Sequence, residues 1–63
     1  MFIKLTHKDR DGILSTCMIN TSYLTSAVWV DDQELTALNM KDQPTIWVTE
    51  APASIATVIK EST

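Results

Sequence analysis

The stretch MFIKLTHKDRDGILSTCMI, residues 1–19, decides the fold class of this chain. In the runs Met1–His7 and Ile13–Ile19, successive side chains alternate between two faces, and one face of the first run is mainly apolar. That pattern is typical of a β-strand with one buried side. The polar segment Lys8–Gly12 lies between the runs and ends in Asp-Gly, a pair that favours a hairpin turn. We therefore predict an antiparallel hairpin at the start of the sequence.

Three further runs predict three more strands, because they alternate or are rich in β-branched and aromatic residues. The strongest is TIWVT, residues 45–49. Polar clusters that favour turns separate the runs, although Asn20 could instead cap a short helical turn that ends at Tyr23. The predicted strands are Tyr23–Val30, Glu34–Met40 and Thr45–Thr49, and the predicted turns are Asn20–Ser22, Asp31–Gln33 and Lys41–Pro44.

The last part of the sequence changes from strand to helix periodicity. Pro52 suits the first turn of a helix, and Ile55, Val58 and Ile59 recur at the spacing of an apolar helical stripe. A helix of roughly two to three turns is unstable alone in water. Its stripe must therefore dock either on the sheet of its own chain or on the sheet of a neighbour.

These elements predict one small domain, residues 1–63, of the mostly β (α+β) class. Its strands would form a small antiparallel β-meander or half-open barrel of about four or five strands, with one C-terminal helix. A domain of this length buries only about 60% of the surface that its unfolded chain exposes. Cys17 and His7 are the only cysteine and histidine, so an intramolecular disulfide and a familiar zinc site are both excluded. Stability must come from a well-packed core, from self-association or from both.

Composition and charge narrow the class of protein further. The chain is 44% hydrophobic and has a formal net charge of −3. That hydrophobic content is too high for a disordered segment, and the small acidic excess opposes binding to phosphate backbones. No apolar run reaches the length of a signal-peptide core or a membrane span. We therefore expect a cytoplasmic protein without membrane contact, a compartment that suits a single reduced cysteine.

A set of residues spread over nearly the whole chain matches the pattern of a known family. The matching residues are Ile3, Lys4, Leu5, Thr6, Gly12, Ile19, Asn20, Leu24, Val48, Glu50, Ile55, Val58 and Ile59. Because these residues occur in the same order as in that family's pattern, the chain resembles the short FlbD-like proteins encoded among bacterial flagellar genes. It departs from that pattern at Lys41–Pro44, where the family has a glycine, and at Ala51, where the family has a hydroxyl helix cap. The resemblance implies the same order of strands and helix, and it implies no catalytic residues.

Cys17 and His7 are the one nucleophile–base pair that the sequence allows. Cys17 lies mid-strand between apolar residues, where a cysteine packs as a small hydrophobic side chain, and His7 is expected to be solvated at a strand end. The acidic residues within 9–11 and 31–34 are typical of turns and lack the spacing of a calcium loop. We predict that the protein is not an enzyme and that it holds no metal and no cofactor.

Trp29, Trp47 and Tyr23 are the predicted partner-binding residues. Two tryptophans in 63 residues are many for so small a core, and Trp and Tyr side chains anchor protein interfaces. Two alternatives stay open. One or both tryptophans could cap the core under the helix, or they could stack on the bases of a single nucleic-acid strand.

The outer strands complete the functional prediction. The first and fifth strands, taken as the sheet edges, carry few charges, and such edges pair readily with another chain. We therefore predict a non-catalytic protein–protein interaction module, such as an adaptor, regulator or accessory factor. It would form a homo-oligomer and bind a protein partner of unknown identity. The alternative is a nucleic-acid-binding protein on a small β scaffold, for which Lys4, Lys8 and Arg10 would supply the basic patch.

Overall fold

The computed structural model describes residues 1–62 and contains a five-stranded antiparallel sheet and a C-terminal helix. The predicted fold class is therefore confirmed. Every predicted strand is present, and each end lies within one residue of the expected position. The strands are β1 Phe2–Lys8, β2 Leu14–Asn20, β3 Leu24–Val30, β4 Leu35–Met40 and β5 Ile46–Val48, and the helix α1 spans Pro52–Glu61.

The strands are arranged in the order β2-β1-β5-β4-β3. In the described chain, strands that are consecutive in sequence are neighbours, except that β2 and β3 do not pair, while β1 and β5 do. The sheet is thus an up-and-down arrangement that is open between β2 and β3. The prediction that the first and fifth strands form the edges is wrong, because β5 lies in the centre and β2 and β3 are the edges. That prediction followed from a meander in chain order, and side-chain alternation cannot correct it because alternation is the same in edge and central strands.

In the described residues, the β1–β5 ladder contains only the pair His7–Val48, and further hydrogen bonds next to this ladder hold the two strands together. The Thr49 N–H donates to the Thr6 carbonyl over 2.9 Å. The Thr6 N–H in turn donates to both carboxylate oxygens of Glu50, at 2.9 and 3.0 Å. The buried Thr36 hydroxyl donates to the Glu50 carbonyl over 2.6 Å. Glu50 therefore ties β1 and β4 to the segment that leaves β5.

The core lies between the sheet and α1. Ile55 is buried, and Val58 and Ile59 pack against the same cluster. The helix contacts β1 and β3 and therefore docks on the sheet of its own chain. Full burial of a side chain such as Ile55 contributes about 1.5–3 kcal/mol. The buried residues of this cluster are Ile3, Leu5, Ile19, Leu38, Met40, Val48 and Ile55.

A short 3-10 turn, Thr21–Tyr23, connects β2 to β3. The Asn20 side-chain oxygen accepts a hydrogen bond from the Ser22 N–H over 3.0 Å and caps this turn. The alternative interpretation of Asn20, as the cap of a short helical turn ending at Tyr23, is therefore confirmed.

We expect Glu50→Ala to lower the free energy of unfolding by about 1.5–3 kcal/mol, because hydrogen bonds to a charged group contribute about that much. Urea denaturation followed by circular dichroism measures the change. Glu61→Ala removes an exposed carboxylate and is the matched control, with an expected change below about 0.5 kcal/mol. Equal losses in the two variants would contradict the structural role of the Glu50 carboxylate.

Candidate functional site

The ladder register places the two tryptophans on opposite faces of the sheet. Val48 is buried in the core, and its cross-strand neighbour Thr36 shares its face, here called the core face. Trp29 pairs with Thr36 and is on the core face. Trp47 pairs with Ala37 and is on the opposite, outer face. The tryptophans therefore do not form one stacking platform.

Trp29 has a hydrogen-bond partner in the turn that follows its own strand. The side chain is 40% exposed near the end of β3. Its indole N–H donates to a carboxylate oxygen of Asp31 over 2.6 Å. The polar group of this indole is thus satisfied within the chain.

Trp47 and Tyr23 line two separate clefts. Trp47 is half-buried and, with Leu35, lines a cleft of about 740 Å³. Tyr23 is 46% exposed and lines a groove of about 250 Å³ that it shares with Phe2 and Met18. The structure does not bring the three predicted partner-binding residues to one surface, and their role stays a prediction.

The larger cleft is bordered by the loop between β1 and β2. Lys8 and Arg10 supply positive charge to this border, and Asp9 and Asp11 supply negative charge. One Asp9 carboxylate oxygen accepts from the N–H groups of Asp11 and Ile13, each at 2.9 Å, and so organises the loop. Mixed charge gives this cleft no preference for an anionic or a cationic ligand. Over residues 1–62, no three His, Cys, Asp or Glu side chains converge as ligands for a metal ion.

Cys17 and His7 lie on neighbouring strands but in different rungs of the ladder. His7 is half-buried, and its Nδ1–H donates to the Trp47 carbonyl over 2.9 Å. His7 is thus less exposed to solvent than the sequence predicts, because this bond to β5 holds the ring against the sheet. Burial and the nearby Glu50 carboxylate raise the pKa of the half-buried Cys17 thiol. A reactive cysteine needs the opposite shift, since the thiolate is the nucleophile.

Exposed apolar side chains lie along the edge strand β2 and beside it. Phe2 is 59% exposed, and Leu14 and Met18 are each 58% exposed. Leu14, Thr16 and Met18 share the outer face of β2, next to the outer face of β1 that carries Phe2. We call these four residues, together with the backbone of β2, the β2 edge surface. Alternation in the sequence places Leu14, Thr16 and Met18 on one face of their strand, but only the structure shows that this face points outward and lies at an open edge.

The outward backbone groups of β2 belong to its even-numbered residues. At the two ends of the β1–β2 ladder, the Thr21 N–H donates to the Met1 carbonyl at 2.9 Å and the Asp9 N–H to the Ile13 carbonyl at 3.1 Å. Hydrogen-bonded pairs alternate along an antiparallel ladder, so the odd-numbered residues of β2 bond to β1. The residues whose N–H and C=O groups point away from the sheet are Leu14, Thr16, Met18 and Asn20.

The two edges differ in regularity. Neither β2 nor β3 contains a charged residue, a proline or a glycine. The register of β3 shifts at a bulge between Leu24 and Ser26, and a bulge turns an edge away from pairing. The register of β2 on β1 is regular from Leu14 to Asn20. β2 is therefore the edge better suited to accept another strand.

Comparison with protein-family models, with curated proteins and with solved structures finds no match to this chain. The resemblance to FlbD-like proteins stays a prediction. Over residues 1–62, no helix has the length and apolar character needed to cross a membrane.

We expect Glu50→Gln to speed the alkylation of Cys17 by iodoacetamide at neutral pH. The Glu50 carboxylate raises the pKa of this thiol, second only to burial, so removing its charge lowers the pKa and increases the reactive thiolate. The rate measured against pH should rise at lower pH in the variant than in the wild type. Asp32→Asn neutralises an exposed turn carboxylate and should leave the profile unchanged. An unchanged profile in Glu50→Gln would show that burial alone is responsible.

Proposed function

We propose that this protein is a non-catalytic protein–protein interaction module that associates with itself, as an adaptor, regulator or accessory factor does. Its docking surface is the β2 edge surface. The observation that carries the proposal is a regular, uncharged edge strand flanked by exposed apolar side chains. Monomeric proteins commonly block such edges with charges, proline or bulges.

The side chains around β2 supply apolar area for an interface. Phe2, Met18 and Tyr23 line one groove, so the apolar surface continues from β2 to the 3-10 turn. Phe, Met and Tyr are enriched in interfaces, and burial of a Phe or Met side chain contributes about 1.5–3 kcal/mol. Tyr23 is the predicted partner-binding residue that borders this surface.

The small size of the chain gives a physical reason for association. With 63 residues, the domain leaves about 40% of the surface of its unfolded chain exposed. A partner on β2 would cover apolar side chains and pair backbone groups that otherwise face water. Binding to the folded state alone stabilises that state by mass action.

The non-catalytic part of the proposal is supported by the surroundings of the one nucleophile–base pair. The raised pKa of Cys17 keeps the thiol protonated at neutral pH. The Nδ1–H of His7 is held by the Trp47 carbonyl. Over residues 1–62, no hydrogen bond joins the thiol to the imidazole.

Nucleic-acid binding is the second candidate, and one observation favours it. Lys4 and Lys8 lie with Phe2 on the outer face of β1, and Trp47 lies on the same face of the adjacent β5. Basic and aromatic side chains on one sheet face are typical of single-strand binding. The net charge of −3 opposes it, and we rank it second.

Light scattering on a size-exclusion column, over a range of protein concentrations, tests the proposed function. We expect the wild-type mass to rise from 7.0 kDa toward twice that value. Met18→Lys should weaken the association at least tenfold, because a lysine at an edge opposes strand pairing.

Val28→Lys is the matched control, since Val28 is a 50% exposed apolar residue on the outer face of the other edge strand. Its association should equal that of the wild type. A monomer at every concentration would overturn self-association, and equal loss in both variants would remove β2 as the surface. Retention on heparin that falls with salt, without self-association, would favour the second candidate.

A further inference from the structure

We infer that two copies of this chain pair through β2, antiparallel and about a two-fold axis beside Cys17, so that their sheets continue into one. This inference rests on the proposed self-association and adds the occupant of the surface and its register. In the strand order of the described chain, no strand lies beyond β2. A second copy fits this edge because its β2 has the same length and the same side-chain polarity. Its outward N–H and C=O groups can also pair with those of the first copy.

The outward backbone groups limit the register of such a pair. Only even-numbered residues of β2 point their N–H and C=O groups outward, so even-numbered residues must bond to even-numbered residues of the partner. Full overlap of the seven-residue strand Leu14–Asn20 places Leu14 opposite the partner's Asn20 and Thr16 opposite the partner's Met18. Both are even-numbered pairs, so the register of greatest overlap also satisfies the hydrogen bonds.

Cys17 lies at the midpoint of this arrangement. It faces the partner's Cys17 in a pair without backbone hydrogen bonds, for which the Cα atoms lie about 4.5 Å apart. That separation is within the range of about 4.4–6.8 Å that a disulfide spans. The Cys17 side chain is half-buried at the margin of the core, on the core face of the edge strand. The sole cysteine therefore reports on the register without any substitution.

Charge does not oppose the two-fold arrangement. β2 carries no charged residue, so no like charges meet across the axis. The nearest strand charges, Lys4 and Lys8, lie one strand away on β1. Each would face the partner's β1 across three strand spacings, about 14 Å, which exceeds the Debye length of about 8 Å at physiological ionic strength.

The arrangement also closes on itself. A two-fold pair uses the same strand of both copies, and the strands left at the ends of the joined sheet are the two β3 strands. The bulge between Leu24 and Ser26 turns those ends away from further pairing. The structure thus favours a dimer over an open chain of sheets. A single strand pair buries less than a standard interface of about 800 Å² per partner, so the dimer should depend on concentration.

Cysteine cross-linking measures the register directly. The three proteins are the wild type, Cys17→Ser with Thr16→Cys, and Cys17→Ser with Met18→Cys. Diamide oxidises two thiols to one disulfide and takes up the two electrons and two protons released. Covalent dimer is followed on non-reducing gels, and each rate is normalised to the alkylation rate of the same thiol.

We expect the normalised cross-linking rate of the wild type to exceed those of both shifted variants at least tenfold. In the inferred register, the two copies of residue 16 are displaced by two residues, about 6.6 Å along the strand and 4.8 Å across it. The resulting Cα separation of roughly 8 Å exceeds the limit of about 7 Å for a disulfide. The same holds for residue 18.

Each other outcome overturns the inference in a distinct way. Fastest cross-linking at residue 16 or 18 would show a different register. Slow cross-linking of all three proteins, together with a dimer by light scattering, would place the association elsewhere and leave the proposed function standing. A monomer at every concentration would overturn both.

Thr16→Pro gives a second test that does not depend on thiol chemistry. The Thr16 N–H points away from β1, so proline removes a hydrogen bond of the inferred dimer and none of the β1–β2 ladder. We expect a folded monomer, with the circular dichroism spectrum of the wild type at low concentration. A folded Thr16→Pro protein that dimerises as the wild type does would overturn the inferred pairing.

Discussion

The sheet depends on the hydrogen bonds that Glu50 makes at the junction between β1 and β5. Its carboxylate holds the Thr6 N–H, and its carbonyl accepts from the buried Thr36 hydroxyl. β5 has only three residues, yet it is the strand that joins the β1–β2 hairpin to the β3–β4 hairpin. An isolated hairpin is marginally stable in water. The junction converts two such hairpins into one sheet with a shared core.

The same junction decides where the sheet is open. Because β5 pairs with β1, the gap falls between β2 and β3. The helix covers the core face of the sheet, where Ile55 packs. It leaves the free edge of β2 uncovered. The stabilising contact and the position of the open edge are therefore linked. Closing the sheet through β1 and β5 leaves an uncharged strand, flanked by exposed Leu14 and Met18, at the boundary with water.

The aromatic residues show that amino-acid composition and position in the fold can point to different candidate interaction surfaces. Two tryptophans in a small chain indicate an interface, but the register places Trp29 and Trp47 on opposite faces. One indole donates to Asp31 in its own turn, and the other residue borders a cleft of mixed charge. The surface that the fold leaves open is formed instead by the outward-facing apolar side chains of Phe2, Leu14 and Met18. These residues are less conspicuous in the composition than two tryptophans.

By itself, the sequence determined what depends on neighbouring residues. Alternation placed Ile3 with Leu5 on one face of the first strand and Leu14 with Met18 on one face of the second, turn chemistry separated the strands, and the 3.6-residue period predicted the stripe around Ile55. Only the tertiary structure decided the strand order, the open edge and the role of Glu50. The physical reason is range: the Thr6–Glu50 hydrogen bonds join residues 44 positions apart, and a two-residue period is the same whether a strand lies at the edge or in the centre.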